Sequence, residues 1–204
     1  MRAILYLLLA STLAVGPAGA MARDGVPTNW HNVASDADRD RLRNIRQAWT
    51  DALAKARGAG NTKAIAAQGV LFDPDVALDN AKPPAGDYHC RVFKLGAKGA
   101  GNSDFVAYPT FRCRVAIDGA LPRLSKLAGS QRPTGQLFDD GRYRQIFLGT
   151  LELGDERSAL EYGRDAGRDM AGTVERIGPR RWRLTLPYPH FESVLDVIEL
   201  VPAR

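Results

Sequence analysis

The sequence predicts an α+β protein that is mainly β, in which an N-terminal helical segment packs on an antiparallel β-barrel or sandwich of seven to eight strands. Three observations support this prediction. Apolar residues recur with a helical period only before residue 70. Residues 85–204 instead contain short apolar runs separated by turn residues, which is typical of antiparallel β-domains. Finally, the 2 cysteines lie in the first two of these runs.

Residues 1–22 have the three parts of a secretory signal peptide. Arg2 supplies the positive start, Ile4 to Val15 form an apolar core, and small residues around Ala20 suit cleavage. A membrane-spanning helix would need about 20 apolar residues, and this run stops at Gly16-Pro17. The sequence therefore predicts an exported protein, periplasmic or secreted, with no membrane span after cleavage.

Residues 23–84 are predicted to be the N-terminal helical segment and its linker. Ser35 is a good helix cap, and Gly58 is a suitable end, so we expect a helix of about 20 residues between them. One face of this helix carries the apolar residues Leu42, Ile45, Trp49, Leu53 and Ala56. A shorter helix is expected from Thr62 to Gln68, before the proline-rich linker. The apolar face is expected to pack on the protein's own β-domain rather than on a partner.

Residues 85–204 are predicted to be an antiparallel β-domain that forms one compact unit with the helical segment. The candidate strands are approximately Tyr88 to Leu95, Phe105 to Ile117, Arg123 to Ala128, Gln136 to Phe138, Arg142 to Leu151, Met170 to Ile177, Arg181 to Leu186 and Ser193 to Val201. Turn residues separate them, for example Pro133-Thr134-Gly135 and Gly178-Pro179. In the last hairpin, alternation is expected to turn Arg181 and Arg183 outward, towards water. The pattern fits a barrel and a sandwich equally well.

The two cysteines are predicted to form a disulfide across the first hairpin. Cys90 and Cys113 flank the Gly/Asn/Ser-rich stretch Gly96 to Ser103, which suits a hairpin loop. If pairing is centred between Gly101 and Asn102, residues 90 and 113 lie directly opposite each other. An oxidising compartment also favours a disulfide over a catalytic thiol or a zinc ligand.

Four arginines are candidates for anion binding. Alternation turns Tyr88, Cys90 and Val92 towards the interior of the β-domain, and this places arginines of the first hairpin on the outer face. The candidates are Arg91, Arg112 and Arg114 on that hairpin and Arg132 on the predicted loop from Ser130 to Gly135. The alternative is that the protein's own acids, such as Asp36, Asp38 and Asp40 of the helical segment, neutralise these arginines. Burial and pairing distinguish the two interpretations.

The sequence contains no recognisable catalytic or cofactor motif. Ser130 is not in a Gly-x-Ser-x-Gly context, and the 3 histidines lie in no known catalytic pattern. His190 and Glu192 would lie on one face of a strand, but a metal site needs a third ligand, so no metal and no cofactor are predicted. A hydrolase with a site near His190 and Glu192 is an alternative function, and a secreted enzyme inhibitor is another.

The net charge of +5 comes from basic and acidic residues that are mixed along the chain. Nucleic-acid binding would need a clustered basic surface, so we predict no nucleic-acid partner. The expected partner is a small molecule or an envelope protein, and the sequence does not indicate an oligomeric state.

Several phrases of the sequence resemble a known family. They are GDYHCRVFKLG, FRCRV, LAGSQRPTG, FLGTLELGDE and ERIGPRRWRL. Together they are similar to a family of exported, mostly alphaproteobacterial proteins catalogued as a domain of unknown function, over about residues 30–202. The resemblance implies export and a single domain, and it implies no activity. Because small closed sheets commonly hold one ligand or present loops, we expect a non-enzymatic periplasmic binding or envelope-associated protein.

Overall fold

The computed structural model describes residues 27–203, so the predicted leader lies outside the described residues. The helices are α1 (Asp36–Arg43), α2 (Ile45–Ala56) and α3 (Thr62–Ala66). The strands are β1 (Gly86–Ala97), β2 (Phe105–Asp118), β3 (Leu121–Lys126), β4 (Gln131–Asp139), β5 (Gln145–Leu153), β6 (Asp169–Gly178), β7 (Arg181–Pro187) and β8 (Ser193–Pro202). Within the described part of the chain, none of the helices has the length and apolarity needed to cross a membrane.

The eight strands form a closed barrel in which each strand pairs antiparallel with its neighbour in sequence. Closure is made by β8 pairing with β1 from Tyr88 opposite Pro202 to Leu95 opposite Leu195. Every strand therefore has two neighbours and no edge is left unpaired. This result confirms the predicted mainly β fold and decides between a barrel and a sandwich.

The predicted N-terminal helix is present, with a break at Asn44. The Ser35 hydroxyl accepts a hydrogen bond from the backbone nitrogen of Asp38 at 3.2 Å, as expected of a helix cap. The Asn44 side-chain amide donates to the Asp40 carbonyl oxygen at 2.9 Å. The Asn44 backbone nitrogen also donates to the Asp40 carbonyl oxygen, at 3.1 Å, but Asn44 has φ and ψ angles of −94° and 12°, outside the helical region, so α1 and α2 are separate segments on either side of it.

The disulfide is confirmed, but the predicted register of the first hairpin was wrong. Cys90 and Cys113 are bonded, with their Cα atoms 5.8 Å apart. Cys90 lies opposite Phe111, and Cys113 lies opposite Tyr88, so the two cysteines are diagonal neighbours rather than a direct pair. A shift of two residues leaves both side chains on the inner face, since side chains alternate with period two. For this reason the predicted disulfide is correct although the predicted register is not.

Replacing Cys90 and Cys113 together by alanine is expected to lower the free energy of unfolding by about 3 kcal/mol, because the bond closes a loop of 23 residues. Urea unfolding would measure the loss. Reductant should destabilise the parent and leave the double variant unchanged. Thiol titration of the unreduced, denatured parent should find no free thiol, and two reactive thiols would contradict the assignment.

The predicted turn at Pro133-Thr134-Gly135 was wrong, because these residues lie inside β4. The preceding turn lies further upstream, between the end of β3 at Lys126 and the start of β4 at Gln131. Gly135 pairs with Gly149 of β5, and a Cβ atom on Gly149 would collide with the carbonyl oxygen of Thr134. The glycine is therefore required by close approach of two strands rather than by a turn.

One end of the barrel interior is filled by large side chains. The ring of Tyr88 meets that of Trp182 edge to face, with ring centroids 6.2 Å apart. The Tyr88 hydroxyl donates to the Pro84 carbonyl oxygen at 2.6 Å, which ties the linker across this end. Leu137, Phe147 and Val174 belong to the same buried cluster. The barrel is thus closed here, and a ligand would have to enter from the other end.

The helical segment covers one part of the outside of the barrel. Trp49 and Ala52 of α2 are buried in one cluster with Phe93 and Leu95, which point outward from β1. This contact confirms the expectation that the helix packs on the protein's own β-domain. It also gives the outer face of the sheet a second, separate core.

The outer face contains a buried arginine that the sequence pattern placed in solvent. Arg183 on β7 is 0% exposed, so the expectation that it points to water was wrong. Its guanidinium pairs with Glu175 and donates to the carbonyl oxygens of Leu71 and Asp73 at 3.1 and 2.7 Å. The same group lies 5.1 Å from the centroid of the Trp49 ring. Arg183 therefore joins the barrel to the helical segment.

Candidate functional site: the mouth of the barrel

The open end of the barrel forms a concave mouth surrounded by loops. The turn between β3 and β4, the segment around Gly167 and Arg168, and the loop Tyr188 to Glu192 between β7 and β8 all border it. Tyr188 and Glu192 both have positive φ angles, of 47° and 63°. Non-glycine residues in this conformation carry strain, which is common where a loop is held in place at a functional site.

The mouth contains a cavity of about 140 Å³. Its inner part is apolar and is lined by Val92, Phe111, Pro133, Leu151, Met170 and Ile198. Its outer part is polar and is lined by Lys94, Lys126, Gln131, His190, Glu192 and Asp196. A mostly apolar pocket with a few polar groups is the usual form of a small-molecule site.

Lys94 and Asp196 form a buried ion pair in the wall of the mouth. The Lys94 ammonium lies 3.3 Å from Asp196 Oδ2 and 3.0 Å from Glu192 Oε2, and it also donates to Gln131 Oε1 at 3.1 Å. Burial by itself would lower the pKa of Lys94, but the two carboxylates outweigh it and raise that pKa. Ser193 donates a hydrogen bond to the other Asp196 oxygen. All three donors of Lys94 are therefore used inside the protein.

Lys126, at the end of β3, has a different environment. Its residue is 6% exposed, and its ammonium donates to the carbonyl oxygens of Ala128 and Gln131 at 2.6 and 2.8 Å. The same nitrogen lies 3.8 Å from the centroid of the Phe111 ring, a cation–π contact. Burial, and then the positive charges of Arg132 and Lys94, lower the pKa of Lys126 to about 8. The ammonium thus faces carbonyls and a ring rather than a carboxylate.

His190 and Glu192, the residues of the hydrolase hypothesis, both lie at the mouth. His190 Nε2 lies 2.5 Å from an Arg41 guanidinium nitrogen, which can only donate, so Nε2 is the acceptor. Burial and the Arg41 charge lower the pKa of His190, which keeps the imidazole neutral at neutral pH. Ser130 borders the same cavity, but no hydrogen bond joins its hydroxyl to His190 within residues 27–203. The residues are near one another without the serine–histidine bond that nucleophilic catalysis needs.

The four candidate anion-binding arginines lie mainly on the outer surface and do not converge at the mouth. Arg114 contacts Asp87 through two nitrogens, at 2.6 and 3.3 Å. Arg132 pairs with Glu152 at 2.6 Å and donates to several carbonyl oxygens. Arg91 donates to the Tyr108 carbonyl oxygen at 3.3 Å, and Arg112 lies opposite His89 in the hairpin. Anion binding by this set stays a prediction.

The acids proposed to neutralise these arginines make different contacts. Asp36, Asp38 and Asp40 pair with Arg39, Arg41 and Arg43 respectively. Each pair has the i, i+3 spacing of a single helix. The three acids given as examples therefore pair within their own helix, whereas Arg114 and Arg132 pair with other acids of the protein, Asp87 and Glu152.

Comparison with known protein families identifies the family of this chain. The family described as a domain of unknown function (DUF4893) matches residues 30–200. The chain belongs to this family. No curated protein and no solved structure matches the chain. The family assignment carries no activity, so the function of this DUF4893 chain has to be argued from the mouth of the barrel.

Sequence reasoning did not identify Lys94, Lys126 or Asp196 as site residues. One signal was present: each of the three is charged and lies two positions from an apolar residue of the inward face, namely Val92, Leu124 and Ile198 respectively. A charged residue at such a position is costly unless it is paired or serves a site. The sequence could not show that the three positions lie at the same end of the barrel.

Proposed function

We propose that this protein is an exported, non-enzymatic binding protein that holds one small, mostly apolar ligand in the mouth of its barrel. The observation that carries the proposal is the cavity of about 140 Å³, apolar inside and polar at its rim, at the open end of a closed barrel. Barrels of eight strands commonly have an interior that is either filled or just large enough for one small ligand.

The size of the cavity limits the ligand. An apolar cavity of about 150 Å³ binds one benzene molecule. The cavity here is about the same size, at 140 Å³, so it accommodates one ring or a short aliphatic chain. A larger ligand would have to extend past the polar rim into solvent.

Two features support export. The first residues have the pattern of a secretory leader, and the Cys90–Cys113 disulfide is typical of proteins that leave the cytosol. A ligand of this protein would then be met in the periplasm or outside the cell. Among the partners expected from the sequence, a small molecule fits the cavity better than an envelope protein does.

The hydrogen bonds at the mouth favour binding over hydrolysis. A histidine that acts as a general base must accept a proton on a free ring nitrogen. In His190, Nε2 already accepts a hydrogen bond from the Arg41 guanidinium. Glu192 is engaged with Lys94 at 3.0 Å. Both groups therefore act in this structure as parts of the rim.

Titration with benzamide or benzyl alcohol is expected to shift the NMR signals of methyl groups inside the mouth, such as those of Met170 and Ile198. The variant Val92→Phe should fill the cavity and weaken binding by about tenfold or more, since it removes the room for one ring. Ile117→Phe is the matched control, because Ile117 is 71% exposed at the far end of β2. If no compound of one-ring size shifts these methyl signals, the proposal is wrong.

A further inference from the structure

We propose that the ligand is a small carboxylate with one ring or a short chain, and that the Lys126 ammonium binds its carboxyl group. This inference rests on the proposed function and names the chemical class of its ligand. Lys126 borders the same cavity as the apolar lining, so one molecule can contact both.

The Lys126 ammonium is placed to bind a group in the cavity. An ammonium has three N–H donors, and here two hydrogen bonds go to the carbonyl oxygens of Ala128 and Gln131. Within residues 27–203 no third oxygen or nitrogen acceptor contacts this ammonium, which lies over the face of the Phe111 ring, and both side chains line the cavity. An ionised oxygen, such as that of a carboxylate, makes a stronger hydrogen bond with an ammonium than a neutral acceptor does.

The Lys126 ammonium has no carboxylate partner within residues 27–203. Lys94 lies within 4.0 Å of two carboxylates, those of Glu192 and Asp196. In the described part of the chain, no carboxylate lies that close to the Lys126 ammonium. Lys126 is nevertheless 94% buried, since its exposed fraction is 6%. Buried charges in proteins are normally paired. A bound carboxylate would supply the charge that the protein itself does not supply.

The polar groups around Lys126 suit a carboxylate better than a phosphate. A phosphate carries up to two charges and three oxygens, and it is usually held by several donors. Lys94 is already bonded to three partners and so cannot share such a ligand. One available ammonium donor beside an apolar lining matches a monoanion with an apolar body.

The charge of Lys126 gives the inference a pH dependence. The charged and titratable groups round Lys126, taken over all the elements at the mouth, are Lys94, Tyr108, Arg132, Arg168, His190, Glu192 and Asp196. Lys94 keeps its charge because its pKa is raised, and His190 stays neutral above pH 7 because its pKa is lowered. Lys126 loses its proton as the pH rises through about 8, the value of its pKa. Carboxylate binding should therefore be strongest below that pH and weaken above it.

The test compares benzoate with benzamide, which has the same shape and no charge. At pH 7 the parent should bind benzoate about tenfold more tightly than benzamide, because one hydrogen bond is charge-assisted. Benzoate affinity should fall about tenfold between pH 7 and pH 9, while benzamide affinity stays constant, since benzoate itself is ionised throughout this range. Isothermal titration calorimetry would measure both series.

The variant Lys126→Met keeps the length of the side chain and removes its charge. It should lose the preference for benzoate and the pH dependence, and it should still bind benzamide. Lys82→Met is the control, because Lys82 pairs with Asp139 and does not border the cavity.

Each outcome separates this inference from the function on which it rests. If the parent binds benzamide as tightly as benzoate, or binds benzoate equally at pH 7 and pH 9, the role of Lys126 is refuted and the binding function stands. If neither compound binds, the proposed function itself fails. The two comparisons in the parent need no variant, so a Lys126→Met protein that does not fold leaves the test intact.

Discussion

Replacing Arg183 by methionine is expected to lower the free energy of unfolding by about 3–5 kcal/mol. Methionine has a similar length and keeps the apolar contacts of the side chain. It leaves the Glu175 carboxylate without its partner and the carbonyl oxygens of Leu71 and Asp73 without their donor. Removing one member of a buried charged pair costs more than the pair contributes, because the remaining charge stays buried. Urea unfolding would measure the loss.

Arg181→Met is the matched control for that experiment. Arg181 lies two residues away on the same strand and the same face, and it also pairs with a glutamate, Glu199, at 2.5 Å. Its side chain is 29% exposed, whereas that of Arg183 is 0% exposed. We expect Arg181→Met to cost about 1 kcal/mol or less by urea unfolding, as partly exposed pairs do. Equal effects of the two substitutions would contradict the importance assigned to burial.

Trp49→Ala is expected to lower the free energy of unfolding by about 3–5 kcal/mol, since it leaves a cavity the size of an indole ring. Trp49 is 4% exposed and packs between α2 and the outward apolar residues of the barrel. The Trp49 ring also lies over the Arg183 guanidinium, so its removal would let water reach the ion pair between Arg183 and Glu175. Chemical unfolding followed by circular dichroism would measure the effect.

Arg43→Ala is the control for Trp49→Ala. The Arg43 side chain is 66% exposed, and its pair with Asp40 lies on the surface of the helix, so its loss should cost little. If Trp49→Ala instead leaves stability unchanged and abolishes binding of another protein, the apolar face of α2 is an interface. That result would contradict its assignment as the outer core of this chain.

The order and nature of the elements could be predicted from the sequence because their signals are local. A helical period marks Leu42, Ile45 and Trp49, and alternation marks β1 and β2, whatever the rest of the chain does. The disulfide was also predictable, because an error of two residues in register leaves a cysteine on the same face. The closure of the barrel could not be predicted this way, since it depends on β8 meeting β1, about 100 residues away.

The helix cap at Ser35 and the apolar runs of the strands could be read from the sequence, because each depends on residues close together in the chain. The cysteine pair could be read for a different reason, since the chain contains 2 cysteines. The burial of Arg183 and the partial exposure of Arg181 depend on the folded chain, since the two arginines have the same sequence pattern and differ in what the helical segment covers. The make-up of the mouth of the barrel also depends on the folded chain. Lys94, Lys126 and Asp196 come from three strands, and they share one cavity because closure brings the corresponding ends of those strands together.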